Sequence, residues 1–211
     1  MRRLALLTTA VVAGLASAGP ADAGEFRGGL WAGANIASLE IEGEPESERD
    51  SRTAGAFGGV IAWRPGESWS LELRPAYVGS GAKVLVEGNQ VEIRASYFEL
   101  PLLVTRDLGS GRARPYLLAG FALGFRSSAE AVFGGQEQDI ADDFAGTDTS
   151  LRLGAGLRLA KVAGQPFLEV EYARGFKDLN AQQTGLGADT GAIRNRGVQI
   201  RAGFSFGFGN N

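Results

Sequence analysis

The chain has 211 residues, 21 Lys and Arg against 24 Asp and Glu, a formal charge of −3, and neither cysteine nor histidine. Without histidine, Ser-His-Asp hydrolysis, Cys-His chemistry and histidine-based metal sites are excluded; without cysteine, no disulfide can hold an exported chain together. Mild acidity argues against a nucleic-acid partner, and beyond the N-terminal segment nothing approaches the roughly 18 consecutive apolar residues of a membrane-spanning helix.

Arg2 and Arg3 precede the weakly polar to apolar run LALLTTAVVAGLASA (4–18), which is followed by small residues. This is the pattern of a secretory signal peptide, and the run is shorter than the roughly 20 residues an uncleaved anchor needs. Small-x-small cleavage points follow Ala18 and Ala23, and the second leaves the chain starting just before its first periodic segment. The sequence therefore divides into a leader, 1–23, and one domain, 24–211, of 188 residues and charge −4.

In that domain period two recurs and period 3.6 is almost absent. Candidate strands fall at 26–39, 52–64, 69–83, 91–106, 114–128, 149–161, 166–176 and 194–208. In the third, WSLELRPAY sets Trp69, Leu71, Leu73 and Tyr77 against Ser70, Glu72, Arg74 and Ala76. The fourth contains YFELPLLV, where Phe98, Leu100, Leu102 and Val104 share one face and Glu99 and Pro101 the other; Pro101 lacks a ladder donor and is expected to mark a bulge or a weakened pairing. The sixth, LRLGAGLRL, opposes leucines to Arg152 and Arg158, and the last, VQIRAGFSFGF, opposes Val198, Ile200, Phe204, Phe206 and Phe208 to Gln199, Arg201 and glycines.

Three connections are short turns with Gly and Pro chemistry, RPGES (64–68), DLGSGRAR (107–114) and VAGQP (162–166). The others, at 40–51, 84–90, 129–148 and 177–193, are mostly long, so short and long connections alternate with few exceptions. Residues 40–50 and 130–148 together hold twelve of the 23 acids of the domain, whereas Arg64, Arg106, Arg112, Arg114 and Lys161 mark the short turns.

Eight such strands fit either a soluble sandwich or lipocalin-like barrel with its apolar face inward, or a membrane barrel with that face outward. Three observations favour the second. The polar face carries Glu72, Arg74, Glu99, Arg152, Arg158, Glu169, Glu171 and Arg201, four acids against four arginines without a lysine, and paired charges of that kind suit a small barrel whose interior is just wide enough for side chains. Trp63, Trp69, Tyr116 and Phe167 lie beside the short turns, where they are expected to form an interfacial girdle. The acidic loops and basic turns make the two rims electrostatically different.

With these residues assembled, the chain resembles the bacterial outer-membrane β-barrel domain family, the porin-like group related in architecture to the OmpA transmembrane domain and OmpX. The resemblance rests on WSLELRPAY, YFELPLLV, RPYLLAGFALGF (114–125), LRLGAGLRL, FLEVEYARGFKDL (167–179) and VQIRAGFSFGF, in that order, over nearly the whole domain. It implies an all-β, eight-stranded antiparallel up-and-down transmembrane β-barrel in the bacterial outer membrane. It also implies that Phe204, Phe206 and Phe208 form the closing strand read by the barrel-assembly machinery, although Gly209-Asn210-Asn211 follows the last aromatic.

The functional expectation is a non-enzymatic barrel with a charge-filled interior and acidic extracellular loops, in a structural or interaction role, touching outer-membrane lipid and lipopolysaccharide and needing no metal or cofactor. A narrow porin-like channel for small solutes and a soluble periplasmic lipocalin-like binding barrel are the alternatives.

Overall fold

Strands that alternate large apolar residues with charge or glycine satisfy both faces when the sheet closes, one face lining a lumen and the other meeting an apolar medium. A computed structural model, which describes residues 24–41, 49–86, 89–133, 136–140, 146–160, 162–176 and 193–208, has this form. The leader and its cleavage points lie outside the described residues. Among the described residues ten strands are present: β1 Glu25–Ile41, β2 Arg49–Arg64, β3 Trp69–Leu73, β4 Ala76–Val86, β5 Asn89–Asp107, β6 Ala113–Phe133, β7 Gln136–Asp139, β8 Thr147–Leu159, β9 Phe167–Gly175 and β10 Ile193–Phe208. Every pairing is antiparallel, and β1 pairs with both β2 and β10, so the sheet closes. β3 and β4 share one place between β2 and β5, and β7 pairs with the far end of β6 outside the ring, which leaves eight strands around it.

The registers fix the shape. Partners followed round the ring from Phe26 through Trp63, Leu71, Val104, Ala119, Leu153, Tyr172 and Val198 return to β1 at Ile36, ten residues further along. With that stagger, a rise of about 3.4 Å and a strand spacing of about 4.8 Å, the strands tilt by roughly 40° around a backbone cylinder of about 8 Å radius. Each residue then climbs about 2.6 Å, so the outward run from Phe208 to Val198 covers about 25 Å, the height of a hydrocarbon band.

Large apolar side chains such as Leu30, Phe57, Leu102, Phe121, Leu168 and Phe206 are exposed on the outer face, while Glu72, Arg74, Glu169, Glu171 and Arg201 are buried inside. This is the reverse of a lipocalin-like binding barrel, whose apolar face must point inward, and it corrects that alternative.

The third candidate strand is interrupted where two prolines meet. Register is unbroken from β3 to β4 against both neighbours, which places Arg74 opposite Pro101 and Pro75 opposite Gly59. Arg74 N donates to Pro101 O at 3.0 Å and Gly59 N to Pro75 O at 2.9 Å. An antiparallel hydrogen-bonded pair normally returns a second bond, and here the returning donor is a proline nitrogen with no hydrogen. Pro101 therefore weakens the pairing without making a bulge. The irregularities lie elsewhere, between Ser51 and Ala56 of β2 and between Ser96 and Tyr97 of β5. Gly81, at φ 132°, stands opposite the first of these, in a backbone conformation that suits glycine.

Two of the connections at the end away from the short turns are shorter than their sequence suggests. Alternation continues through Ala129–Phe133 and returns as β7, so much of the expected loop 129–148 is a hairpin. Likewise β4 and β5 leave two residues between them instead of seven. With 19 and 21 residues, β5 and β6 are about twice the 9–11 residues that cross a bilayer, and they project beyond it on the side away from the short turns.

Candidate functional site

Inward positions are those that share parity with Glu72 and Arg74 in the third strand, with Glu169 and Glu171 in β9, and with their counterparts elsewhere. In a cylinder this narrow a charge has little water and needs a charged or hydrogen-bonding partner. All eight sequence-selected charges, Glu72, Arg74, Glu99, Arg152, Arg158, Glu169, Glu171 and Arg201, point into the lumen and form ion pairs.

They form one column. From the short-turn end upward its links are Arg64–Asp107 at 2.9 Å, Asp107–Arg158 at 3.1 Å, Arg158–Glu72 at 3.4 Å, Glu72–Arg74 at 2.6 Å and Arg74–Glu169 at 2.7 Å. It continues through Glu169–Arg201 at 3.1 Å, Arg201–Glu171, Glu171–Arg152 at 3.2 Å and Arg152–Glu99 at 2.7 Å. Five arginines alternate with five acids, so the column is neutral and no two like charges are adjacent in it. Nine of the ten residues are less than a tenth exposed; Glu99, at the upper end, has a side chain 12% exposed.

Neutral groups complete the coordination. Tyr116 donates its hydroxyl to Glu169 at 2.8 Å and Thr105 to Glu72 at 3.0 Å, while Arg152 donates to Ser150 Oγ at 3.0 Å. Arg158 lies over the Tyr116 ring at 4.7 Å and Arg201 over Trp31 at 4.7 Å, cation–π contacts that matter most where water is excluded.

Two of the four expected girdle residues are corrected. Trp63 and Trp69 do face outward at the short-turn end, and Arg106 stacks over Trp69 at 5.0 Å. Tyr116 and Phe167, 1% and 7% exposed, point into the lumen instead. Proximity to a turn does not fix a side chain's face; parity does, and Phe167 shares parity with Glu169 and Glu171. Each ring lies across a glycine of the neighbouring strand, Tyr116 opposite Gly156 and Phe167 opposite Gly203. A Cβ at Gly156 would lie 2.4 Å from the Tyr116 ring, and one at Gly203 would lie 2.7 Å from Phe167.

The sequence reading missed Arg64 and Asp107, which it left among turn residues, and Trp31, whose parity with Asn35 and Ala37 was the available signal. Phe204, Phe206 and Phe208 of the closing strand are exposed on the outer face, with Phe204 and Phe206 in edge-to-face contact at 5.5 Å. Above the apolar band, Glu92 bonds Arg94 and Arg52 at 3.1 and 2.8 Å, and Arg94 reaches Glu137 at 3.1 Å. The hydrogen bonds from Arg94 and Arg52 hold the Glu92 carboxyl down at about 2. Among the described residues no group of three acidic, histidine or cysteine side chains is placed to hold a metal ion.

No curated protein matches the chain in sequence. Among solved structures, OprG from Pseudomonas aeruginosa superposes with a TM-score of 0.50 at 15% identity, covering 87% of this chain and 96% of that one. Neisserial surface protein A gives 0.49 at 14%, over 85% and 97% of the two chains, and Ail of Yersinia pestis gives 0.47 at 13%, over 86% and 99%. At these identities the likeness concerns the fold alone. The family model described as "Outer membrane protein beta-barrel domain" matches residues 8–210. With that match over almost the whole length, and a closed sheet whose apolar face is turned outward, the chain belongs to the outer-membrane β-barrel domain family and is a protein of the bacterial outer membrane.

Proposed function

We propose that this barrel has a structural or interaction role and a closed lumen, and that it presents long charged hairpins outside the membrane. The observation that supports this best is the neutral column from Arg64 to Glu99. The two small cavities beside it measure about 10 and about 30 Å³, room for one or two waters apiece and not for a continuous water path. Outer-membrane lipid and lipopolysaccharide are its lateral partners in this reading, and the Phe204, Phe206 and Phe208 edge is what the assembly machinery would read. The chain has no histidine to offer catalysis, and no reaction is proposed.

A narrow passive channel is the competing reading, and it requires the column to part. Arg74 and Arg201, each 1% exposed, would then give up carboxylate partners with little water to replace them, at several kcal/mol per ion. Proteoliposome swelling tests the two readings. Vesicles carrying the protein should swell in isotonic arabinose or glycine no faster than protein-free vesicles, and faster swelling that grows with protein content would establish the channel.

A further inference from the structure

The lumen pairs its charges internally, and the outer wall is built to carry none. Among the described residues, the outward positions of β1 from Phe26 to Ile36, of β2 from Phe57 to Trp63 and of β10 from Val198 to Phe208 are uncharged. On β5, however, the outward run Phe98, Leu100, Leu102, Val104 continues into Arg106. Arg106 is exposed on that wall, opposite Trp69 of β3 and Leu117 of β6. The registers put it within about 2 Å of the height of Trp63, inside the short-turn girdle.

A cation there lacks the compensation that the lumen provides. Among the described residues Arg106 makes no ion pair and no side-chain hydrogen bond; its charge rests on the Trp69 ring, 5.0 Å away. The adjacent acid, Asp107, points into the lumen, where Arg158 and Arg64 take its two oxygens. A ring face offsets part of the lost hydration but has no net negative charge, so the guanidinium keeps its charge and its donors. Long basic side chains at the edge of an apolar band reach toward the headgroups. Trp69 lies about 3 Å nearer the short turns than Arg106, so the cation–π contact draws the guanidinium that way, toward the periplasmic leaflet.

We propose that Arg106 and Trp69 form a headgroup site for one anionic phospholipid of the periplasmic leaflet, with phosphatidylglycerol as the matching chemistry. The guanidinium fork takes the phosphodiester through parallel N–H···O bonds, Trp69 supports the fork, and the acyl chains run along Val104, Leu102 and Leu117. A zwitterionic headgroup brings its own ammonium, whereas phosphatidylglycerol brings the single negative charge that Arg106 lacks. This deepens the reading of membrane lipid as a lateral partner, and it holds whether or not the lumen conducts.

The test is native mass spectrometry of the full domain released from mixed micelles holding equal amounts of phosphatidylglycerol and phosphatidylethanolamine with identical chains. The wild type should retain one lipid, enriched roughly fivefold in phosphatidylglycerol, the ratio that one basic residue near an anionic headgroup gives. The enrichment should vanish in Arg106→Gln and persist in Arg112→Gln, which removes an exposed arginine of the adjoining turn. Arg106→Met, suited to a lipid-facing position, makes the same comparison if Arg106→Gln does not fold. No headgroup preference in the wild type, a preference that survives loss of Arg106, or an equal loss in Arg112→Gln would each overturn the site. None of these outcomes bears on the closed lumen, which vesicle swelling tests separately.

Discussion

Glu169→Gln removes one negative charge from the middle of the column while keeping the side chain's size. Glu169 is 1% exposed, accepts two bonds from Arg74 at 2.7 and 2.9 Å and one from Tyr116 at 2.8 Å, and pairs with Arg201 at 3.1 Å. Removing one member of a buried ion pair costs about 3–5 kcal/mol. Arg74 keeps Glu72 and Arg201 keeps Glu171, so the lower edge applies, about 3 kcal/mol. Urea unfolding in lipid vesicles, followed by tryptophan fluorescence and by the heat-modifiable gel shift, measures it. Arg201→Met should be similarly costly alone, but the double variant removes one charge of each sign. It should be more stable than the sum of the single losses predicts, by about 1–3 kcal/mol. A Glu169→Gln variant within about 0.5 kcal/mol of wild type, or additive losses, would refute the column as an energetically coupled unit.

Glu99→Ala should cost less than Glu169→Gln, because Glu99 ends the column and Arg152 retains Glu171 at 3.2 Å; the same urea titration ranks them, and a reversed order contradicts the geometry. Gly156→Ala places a methyl group against the Tyr116 ring and should destabilise by about 1–3 kcal/mol, the usual cost of overpacking, with unchanged stability arguing that the ring faces elsewhere. The Glu92 carboxyl, held at about 2 in the folded hairpins, contributes stability that is present above about pH 4.5 and is lost as the pH falls through 2. Because Glu92 is solvent-accessible the effect is small, about 0.5–1 kcal/mol. Hydrogen exchange of β5 amides near Arg94 should quicken over that range in the wild type and not in Glu92→Gln.

Much of this architecture was legible because period two is a local property. The alternation in VQIRAGFSFGF or LRLGAGLRL assigns each side chain to a face before any partner is known, and it placed all eight chosen charges in the lumen. Register is not local, so the sequence could not say that Glu72 meets Arg74 and Arg158 while Glu169 meets Arg74 and Arg201. Tyr116 and Phe167 were misplaced because nearness to a turn outweighed parity. Arg64 and Asp107 were missed because they sit at strand ends, where composition resembles that of a turn. Pro101 was legible as a weak point, but its effect depends on Pro75 one strand away, opposite Leu100, a pairing set by register alone.

The closed lumen is tested most directly by planar-bilayer recording of the refolded protein. The neutral column predicts no steady current above the bare-bilayer baseline across ±100 mV. It also predicts that conductance appears in Glu169→Gln or Arg201→Met, where the alternation is broken. Reproducible wild-type channels with high open probability would contradict it, since ions would then be passing a lumen in which every interior charge of the column is paired.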